Sequence, residues 1–220
     1  MIVGVIPAAG FANRLGPLPC SKELLPVGGR PVMEYVVERM LLGGAADIRV
    51  VTRADKGDVV EHARRLGATV VEGNPASVSE SVRLGLSGLA PDDVVLLGFP
   101  DSLWEPVDGF STLVDALRDG IDVALGCFRS DELQRSDVVV ADADGIVRSV
   151  QVKPARPSSD LIWGCAAARA SALDALGEHA EPGHLFDRLA RRGSVRAVRF
   201  EGEFVDIGTP ESLERLGTPA

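Results

Sequence analysis

The sequence predicts an α/β fold: a doubly wound, mainly parallel mixed sheet with a β-rich insertion in its second half. Three observations predict it. Short apolar runs alternate with amphipathic, helix-length segments through the first two-thirds of the 220 residues. A glycine-rich turn follows the first apolar run. Beyond Gly126 the alternation gives way to closely spaced strand-like runs. Alternation of this kind implies helices on both faces of the sheet, with ligands at the carboxyl ends of its strands.

Ile2–Ile6 is an apolar run ending at Pro7 and reads as a buried strand. Pro31 suits the first turn of a helix in which Val32, Val36 and Met40 recur at helical spacing. Strands follow at Ile48–Val51, Thr69–Glu72, Val94–Leu97 and Val123–Gly126. Helices fall between them at Asp58–Leu66, at the segment carrying Val82 and Leu86, and at Phe110–Leu117. Ser77 and Glu80 have the spacing of a capping box at the start of the Val82 helix. Val138–Val140 and Ile146–Val150 flank Asp144-Gly145 and read as a hairpin. Leu161–Ala168 and Val195–Phe200 are strand-like, whereas Ala170–Leu176 and His184–Arg191 are helical. Thr209 and Pro210 have the cap and first-turn chemistry of a last helix. Residues 1–220 read as one domain, with 1–130 and 131–220 as its halves.

Composition excludes several classes. A hydrophobic fraction of 45% supplies a sizeable core, and the net charge of −9 argues against wide contact with a nucleic-acid backbone. Cys20, Cys127 and Cys165 are odd in number and far apart, which speaks against a disulfide framework and a structural zinc site. The N-terminus lacks the basic flank and cleavage site of a signal peptide, and no apolar run is long enough to cross a bilayer. The expected location is the cytoplasm, without membrane partners.

The chemistry-bearing residues lie in a few places. Pro7–Gly16 is a turn of small residues whose backbone N–H groups can form an anion nest. Arg14 and Lys22 lie in the same excursion and can hold a triphosphate, though composition alone reads them equally well as two solvated cations of a surface loop. The segment is neither a Walker A loop nor a GxGxxG fingerprint. Asp101 ends the apolar run Val94–Pro100, and Asp206 follows a short apolar stretch. Two such carboxylates suit Mg²⁺, which completes its shell with water and phosphate oxygens. Each Asp alone also reads as a turn or cap residue. Lys153 follows the hairpin. His62, His179 and His184 are scattered without metal spacing, and Trp104 and Trp163 read as core residues more readily than as ligand platforms.

Ala8–Tyr35 carries a specific resemblance. Ala8, Ala9, Gly10, Arg14, Leu15, Lys22, Leu24, Leu25, Pro26, Val27, Gly29, Pro31 and Tyr35 match the signature of the sugar-1-phosphate nucleotidyltransferases, the sugar-nucleotide pyrophosphorylases. The chain departs from that signature at Ala12, Asn13 and Ser21. Gly98-Phe99-Pro100-Asp101 and Val205–Ser212 resemble the family's two metal-binding stretches, and Lys153-Pro154 its EKP motif, with Val152 in place of the glutamate. Ser159–Gly164 resembles its stretch beneath the sugar.

The resemblance covers nearly the whole chain, which reads as a minimal catalytic unit. It implies the nucleotide-diphospho-sugar transferase fold and transfer of a nucleotidyl group from a nucleoside triphosphate to a sugar 1-phosphate. Arg14, Lys22, Asp101 and Asp206 are then catalytic, with Asp101 and Asp206 on Mg²⁺. Ala8, Ala9, Gly10, Asn13, Arg14, Lys22, Glu72 and Ser77 bind the nucleotide, and Lys153, Asp160 and Gly164 the sugar phosphate. Glu72–Ser81 would lie over the base. Its Ser77-Val78…Gly85-Leu86 pattern also resembles a helix of cytidylyltransferases, so dTTP, UTP and CTP remain open. The family is often homo-oligomeric. Val152 keeps open a polyol or amino-alcohol phosphate acceptor, and Ala12, Asn13 and Val152 a non-catalytic nucleotide sensor.

Overall fold

The computed structural model describes residues 1–11, 15, 17–208 and 212. The Ile2–Ile6 run forms β1 (Ile2–Pro7), and the chain then passes through a 3-10 turn at Lys22–Leu24. A hairpin follows, β2 (Pro26–Val27) with β3 (Arg30–Pro31), turned by Gly28 and Gly29 at φ of 57° and 86°. Only glycine adopts such angles without penalty. This hairpin corrects the expectation at Pro31. The Gly-Gly turn draws Pro31 into a strand opposite Pro26, the N–H of Val32 donates to Leu25 O at 3.0 Å, and α1 (Met33–Leu42) begins two residues later.

β4 (Asp47–Thr52), α2 (Gly57–Arg65), β5 (Thr69–Glu72), α3 (Val78–Gly85) and β6 (Val94–Gly98) follow within one or two residues of the expected bounds. β7 (Ser102–Trp104) is a short strand the sequence does not announce, and α4 (Gly109–Asp115) comes next. The second half comprises β8 (Val123–Arg129), β9 (Val138–Ala141), β10 (Val147–Gln151), β11 (Leu161–Arg169), α5 (Pro182–Ala190), β12 (Val195–Arg199) and β13 (Phe204–Asp206). The expected helix at Ala170–Leu176 is a 3-10 turn over Ala170–Leu173. The last helix expected at Thr209-Pro210 lies outside the described residues.

The main sheet runs β10-β9-β11-β6-β1-β4-β5, with β8 on the other edge of β11 and β12 beyond it. β6, β1, β4 and β5 are parallel, so their carboxyl ends open on one side. β11 is antiparallel to both β6 and β8 and joins the second half to the first without a break in the sheet. Alternation along the strands divides the core in two. Val3, Val5, Val95 and Leu97 pack with Val82 of α3 and Leu185, Phe186 and Leu189 of α5. Ile6, Val50 and Leu96 pack with α1, α2 and α4 on the opposite face. The sheet is doubly wound because central strands apolar on both faces need cover on both.

A third cluster, Leu25, Val27, Val32 and Ile207, lies beneath the Lys22 turn and joins it to the β7–β13 pair. Among the described residues no helix is long and apolar enough to cross a membrane.

Candidate active site

The carboxyl ends of β1, β4 and β6, and the loop that follows β5, border a cavity of about 1280 Å³. Its far wall comes from the second half: the start of β11, the loop after β10, and the segment ahead of β9. Ala9, Gly10, Lys22, Ser77, Asp101 and Asp206 line one end, Lys153 and Asp160 line the other, and Gly164 lies between them against Phe204. These residues are separated by up to almost two hundred positions in sequence, and the sheet brings them to one opening.

Asp101 and Asp206 meet through strand pairing. β7 and β13 are antiparallel with Asp206 opposite Ser102, and the N–H of Ile207 donates to Asp101 O at 2.8 Å. Lys22 donates a charged hydrogen bond to Asp101 Oδ2. Burial opposes the Lys22 ammonium, but Asp101, with Glu23 and Asp206 behind it, outweighs burial and lifts Lys22 above the ordinary lysine range. The cation is therefore held charged at the cavity wall.

The donor chemistry fits Mg²⁺. Two hard carboxylates, one just ahead of β7 and one at the end of its partner β13, line one cavity, and this ion takes one or two protein carboxylates with water and phosphate oxygens. Among the described residues no group of three or more His, Cys, Asp or Glu gathers as a metal cage.

The start of α2 organises the Gly10 loop, and the sequence reading did not single it out. Lys56 Nζ donates to Ala8 O at 2.9 Å and Gly10 O at 3.2 Å, and to Glu23 Oε1 at 2.6 Å. Two carbonyls of the loop are thereby tied to its rear. Thr52 Oγ1 adds a bond to Ala8 O at 3.2 Å. Ala8 itself is fully buried and serves as backbone. Glu23 is also fully buried; burial pushes its carboxyl up, and Lys56 pulls it back. Asp58 accepts both the N–H and the hydroxyl of Ser21 at 2.8 Å. At this position, where the signature has proline, serine supplies two donors that proline lacks. One helix start thus holds the Gly10 loop and the turn bearing Lys22. A Lys-x-Asp sequence at the end of a strand-to-helix connection was the available signal.

Ser77 caps α3, accepting from Glu80 N at 3.1 Å, while Glu80 reaches back to Ala76 N at 2.8 Å. The capping box is present, shifted by one residue at its second bond. Asn74, Pro75 and Ala76 line the cavity beside Ser77, but the structure does not bring Glu72 there. Glu72 ends β5 facing outward, 3.4 Å from Arg64. Phe11 and Arg53 also line this end, with the Arg53 guanidinium 4.6 Å from the ring centroid. Asn13 and Arg14 lie outside the described residues.

At the other end Lys153 stands at φ 42° and pairs with Glu181. Asp160 is 3.4 Å from Arg129. Gly164 leaves room for an aromatic side chain, since a Cβ there would lie 2.2 Å from Phe204 Cε2. Asp137 was not singled out in the sequence, yet it lines the cavity with its carboxylate buried against Trp163. Trp163 also packs on Phe99 and Phe186, whereas Trp104 is enclosed by Phe110, Phe128 and Phe200. Burial pushes the Cys127 thiol up to about 12, which makes it a poor nucleophile.

Residues 4–192 match the model of the MobA-like NTP transferase domain. A provisionally named mannose-1-phosphate guanyltransferase of Sulfolobus acidocaldarius is 25% identical over 98% of this chain and 62% of its own length. A glucose-1-phosphate thymidylyltransferase of Neisseria meningitidis is 27% identical over 71% of this chain and 57% of its own. The chain thus spans about three-fifths of the length of these curated relatives. The structure of a provisionally named glucose-1-phosphate thymidylyltransferase from Bacillus anthracis superimposes with a TM-score of 0.85. At 20% identity it covers 98% of this chain and 94% of its own, and it shows the fold.

Proposed function

Because the chain belongs to the MobA-like NTP transferase domain family, we propose that it transfers a nucleotidyl group from a nucleoside triphosphate to a sugar 1-phosphate. The products are the nucleoside diphosphate sugar and pyrophosphate. The observation that carries this reading is the Lys22–Asp101–Asp206 group gathered at the end of the β7–β13 pair, facing a cavity whose other wall bears Lys153. A phosphate oxygen of the acceptor attacks the α-phosphorus, and the bond to the departing pyrophosphate breaks.

The Gly10 loop, held from behind by Lys56, receives the triphosphate on its backbone N–H groups. Lys22, kept charged by Asp101, neutralises the leaving group. Lys153 exchanges its Glu181 partner for the acceptor phosphate and positions the nucleophile. Asp101 and Asp206 would hold Mg²⁺, which when bound supplies neutralisation of phosphate charge. Arg14 and Asn13 remain assigned to the nucleotide by resemblance. So does Glu72, for which a role at the base requires it to leave Arg64. Asp160 and Gly164 border the acceptor. The triphosphate is dTTP, UTP or CTP.

The test is pyrophosphate release with Mg²⁺, crossing dTTP, UTP, CTP, GTP and ATP with several sugar 1-phosphates. Release that requires both substrates is the expected result. No release with any pair, while triphosphate still binds, overturns it.

A further inference from the structure

Asp137 is an unusual group to find at the acceptor end. It is about nine-tenths buried, and it lines the cavity. Its Oδ2 accepts a hydrogen bond from Trp163 Nε1 at 3.3 Å, and the backbone N–H of Lys153 lies close enough to favour the charged carboxylate, while Oδ1 has no well-formed hydrogen bond. Buried polar atoms nearly always find a donor, and an orphaned one is costly to keep. The fold makes room for this carboxylate at some expense: a Cβ on Gly183 would lie 2.2 Å from Asp137 Oδ2. The adjacent Val152 offers no hydrogen-bonding side chain. The nearby cation, Lys153, is paired with Glu181. Once Lys153 turns to a phosphate, as the proposed reaction requires, Asp137 and Glu181 remain as two acceptors facing whatever carries that phosphate.

We propose that Asp137 selects the acceptor: its free Oδ1 takes a hydrogen bond from a hydroxyl or ammonium donor on the part of the substrate away from the phosphate. The inference rests on the transferase reading of the site and adds the class of group the acceptor must carry. Trp163 fixes the carboxylate through Oδ2 and leaves Oδ1 for the substrate. A substrate donor there converts an orphaned buried acceptor into a charge-assisted hydrogen bond, the stronger kind.

The experiment compares the wild type with Asp137→Asn and Asp137→Leu, using glucose 1-phosphate, glycerol 3-phosphate, phosphoethanolamine and phosphocholine as acceptors. Phosphocholine carries a cation without an N–H donor. The expected wild type prefers an acceptor with donors to phosphocholine. Asp137→Leu raises the KM for that acceptor about tenfold or more, with kcat and the triphosphate KM held within about twofold. Asp137→Asn turns its one amide oxygen to Trp163 Nε1 and presents N–H donors where Oδ1 stood; a hydroxyl, which can also accept, is retained, whereas the ammonium of phosphoethanolamine is lost, and this separates the two donor sources. An unchanged acceptor KM in Asp137→Leu, or a preference for phosphocholine, overturns the proposal. Should Asp137→Leu fail to fold, Asp137→Asn decides by the same KM readout, an unmoved KM for every acceptor counting against. A wild type that turns over none of the four, and none of the other sugar 1-phosphates, with any triphosphate would sink the transferase reading instead. Calorimetric binding of the same four phosphates then decides on Asp137: binding lost in the leucine variant supports it, and equal or absent binding overturns it.

Discussion

The two ends of the cavity handle charge differently. Beside the Gly10 loop, the side chains of the Lys22–Asp101 pair are 18% and 12% exposed, and those of Lys56–Glu23 13% and 0%. At the opposite end the Lys153–Glu181 pair is 49% and 29% exposed, and Arg129–Asp160 78% and 59%. Buried pairs are rigid and intolerant of losing one partner, whereas exposed pairs contribute little stability and rearrange easily. The first end is thus a fixed frame, suited to the triphosphate common to every substrate pair of the proposed reaction. The second can change partners, and its specificity rests on the few buried groups among the exposed ones, Asp137 above all.

The sharpest way to break this comparison is Asp101→Asn. It removes a carboxylate charge beside Lys22 and should cost on the order of 4 kcal/mol, about a thousandfold in kcat/KM. Near-normal pyrophosphate release in that variant would remove the frame from the chemistry. Next in size is Lys56→Met, which leaves Glu23 buried and unpaired and should lower stability by about 3 kcal/mol in urea unfolding. The same variant frees the Ala8 and Gly10 carbonyls and should raise the triphosphate KM; adding Glu23→Leu should restore most of the stability but leave that KM raised. Recovery of both together would mean that Lys56 acts on stability alone.

Gly164→Ala tests the junction of the two ends. Its Cβ would meet Phe204 two residues ahead of Asp206, and overpacking of this kind costs about 1–3 kcal/mol in thermal or urea unfolding. Arg129→Ala is the counterpart from the exposed end, and its stability should fall within about 0.5 kcal/mol of wild type. A larger loss would show that the exposed pairs also form part of a rigid frame.

The smallest effect is a pH dependence. Burial raises the folded pKa of Asp137 above its ordinary value of 3.8, with Trp163 opposing. A raised acid contributes stability that is fully present below 3.8 and is lost as pH rises through the folded value. The melting temperature of Asp137→Asn, relative to wild type, should therefore be higher at pH 7 than at pH 4. A constant difference across that range would mean that Asp137 does not titrate differently on folding.

Much of the fold was legible because the signals are local. β1, β4, β5 and β6 are apolar runs bounded by turn residues, and α3 announces itself through Ser77 and Glu80. The elements that escaped notice are short and defined by partners. β7 is an ordinary tripeptide until β13 pairs with it, and the Gly28–Gly29 hairpin overrode the helix-starting preference of Pro31. The candidate site was legible only as motif residues whose shared place the cavity supplies: Gly10, Lys22, Asp101, Ser77, Lys153 and Gly164 all line it. Glu72 was not, since a strand-end carboxylate does not reveal which way it faces.

The sequence by itself determined the order of the longer strands and helices and the residue types able to hold phosphate and magnesium. Hydrophobic period and turn chemistry act over a few residues and are written in the chain. Only the tertiary structure decided that Lys56 ties down Ala8 and Gly10, that Asp206 lies opposite Ser102, and that Asp137 keeps a buried oxygen without a donor. Those facts depend on contacts between distant segments. Burial alone turns an ordinary lysine or aspartate into a clamp or a selector, because removal from water is what makes a missing partner costly.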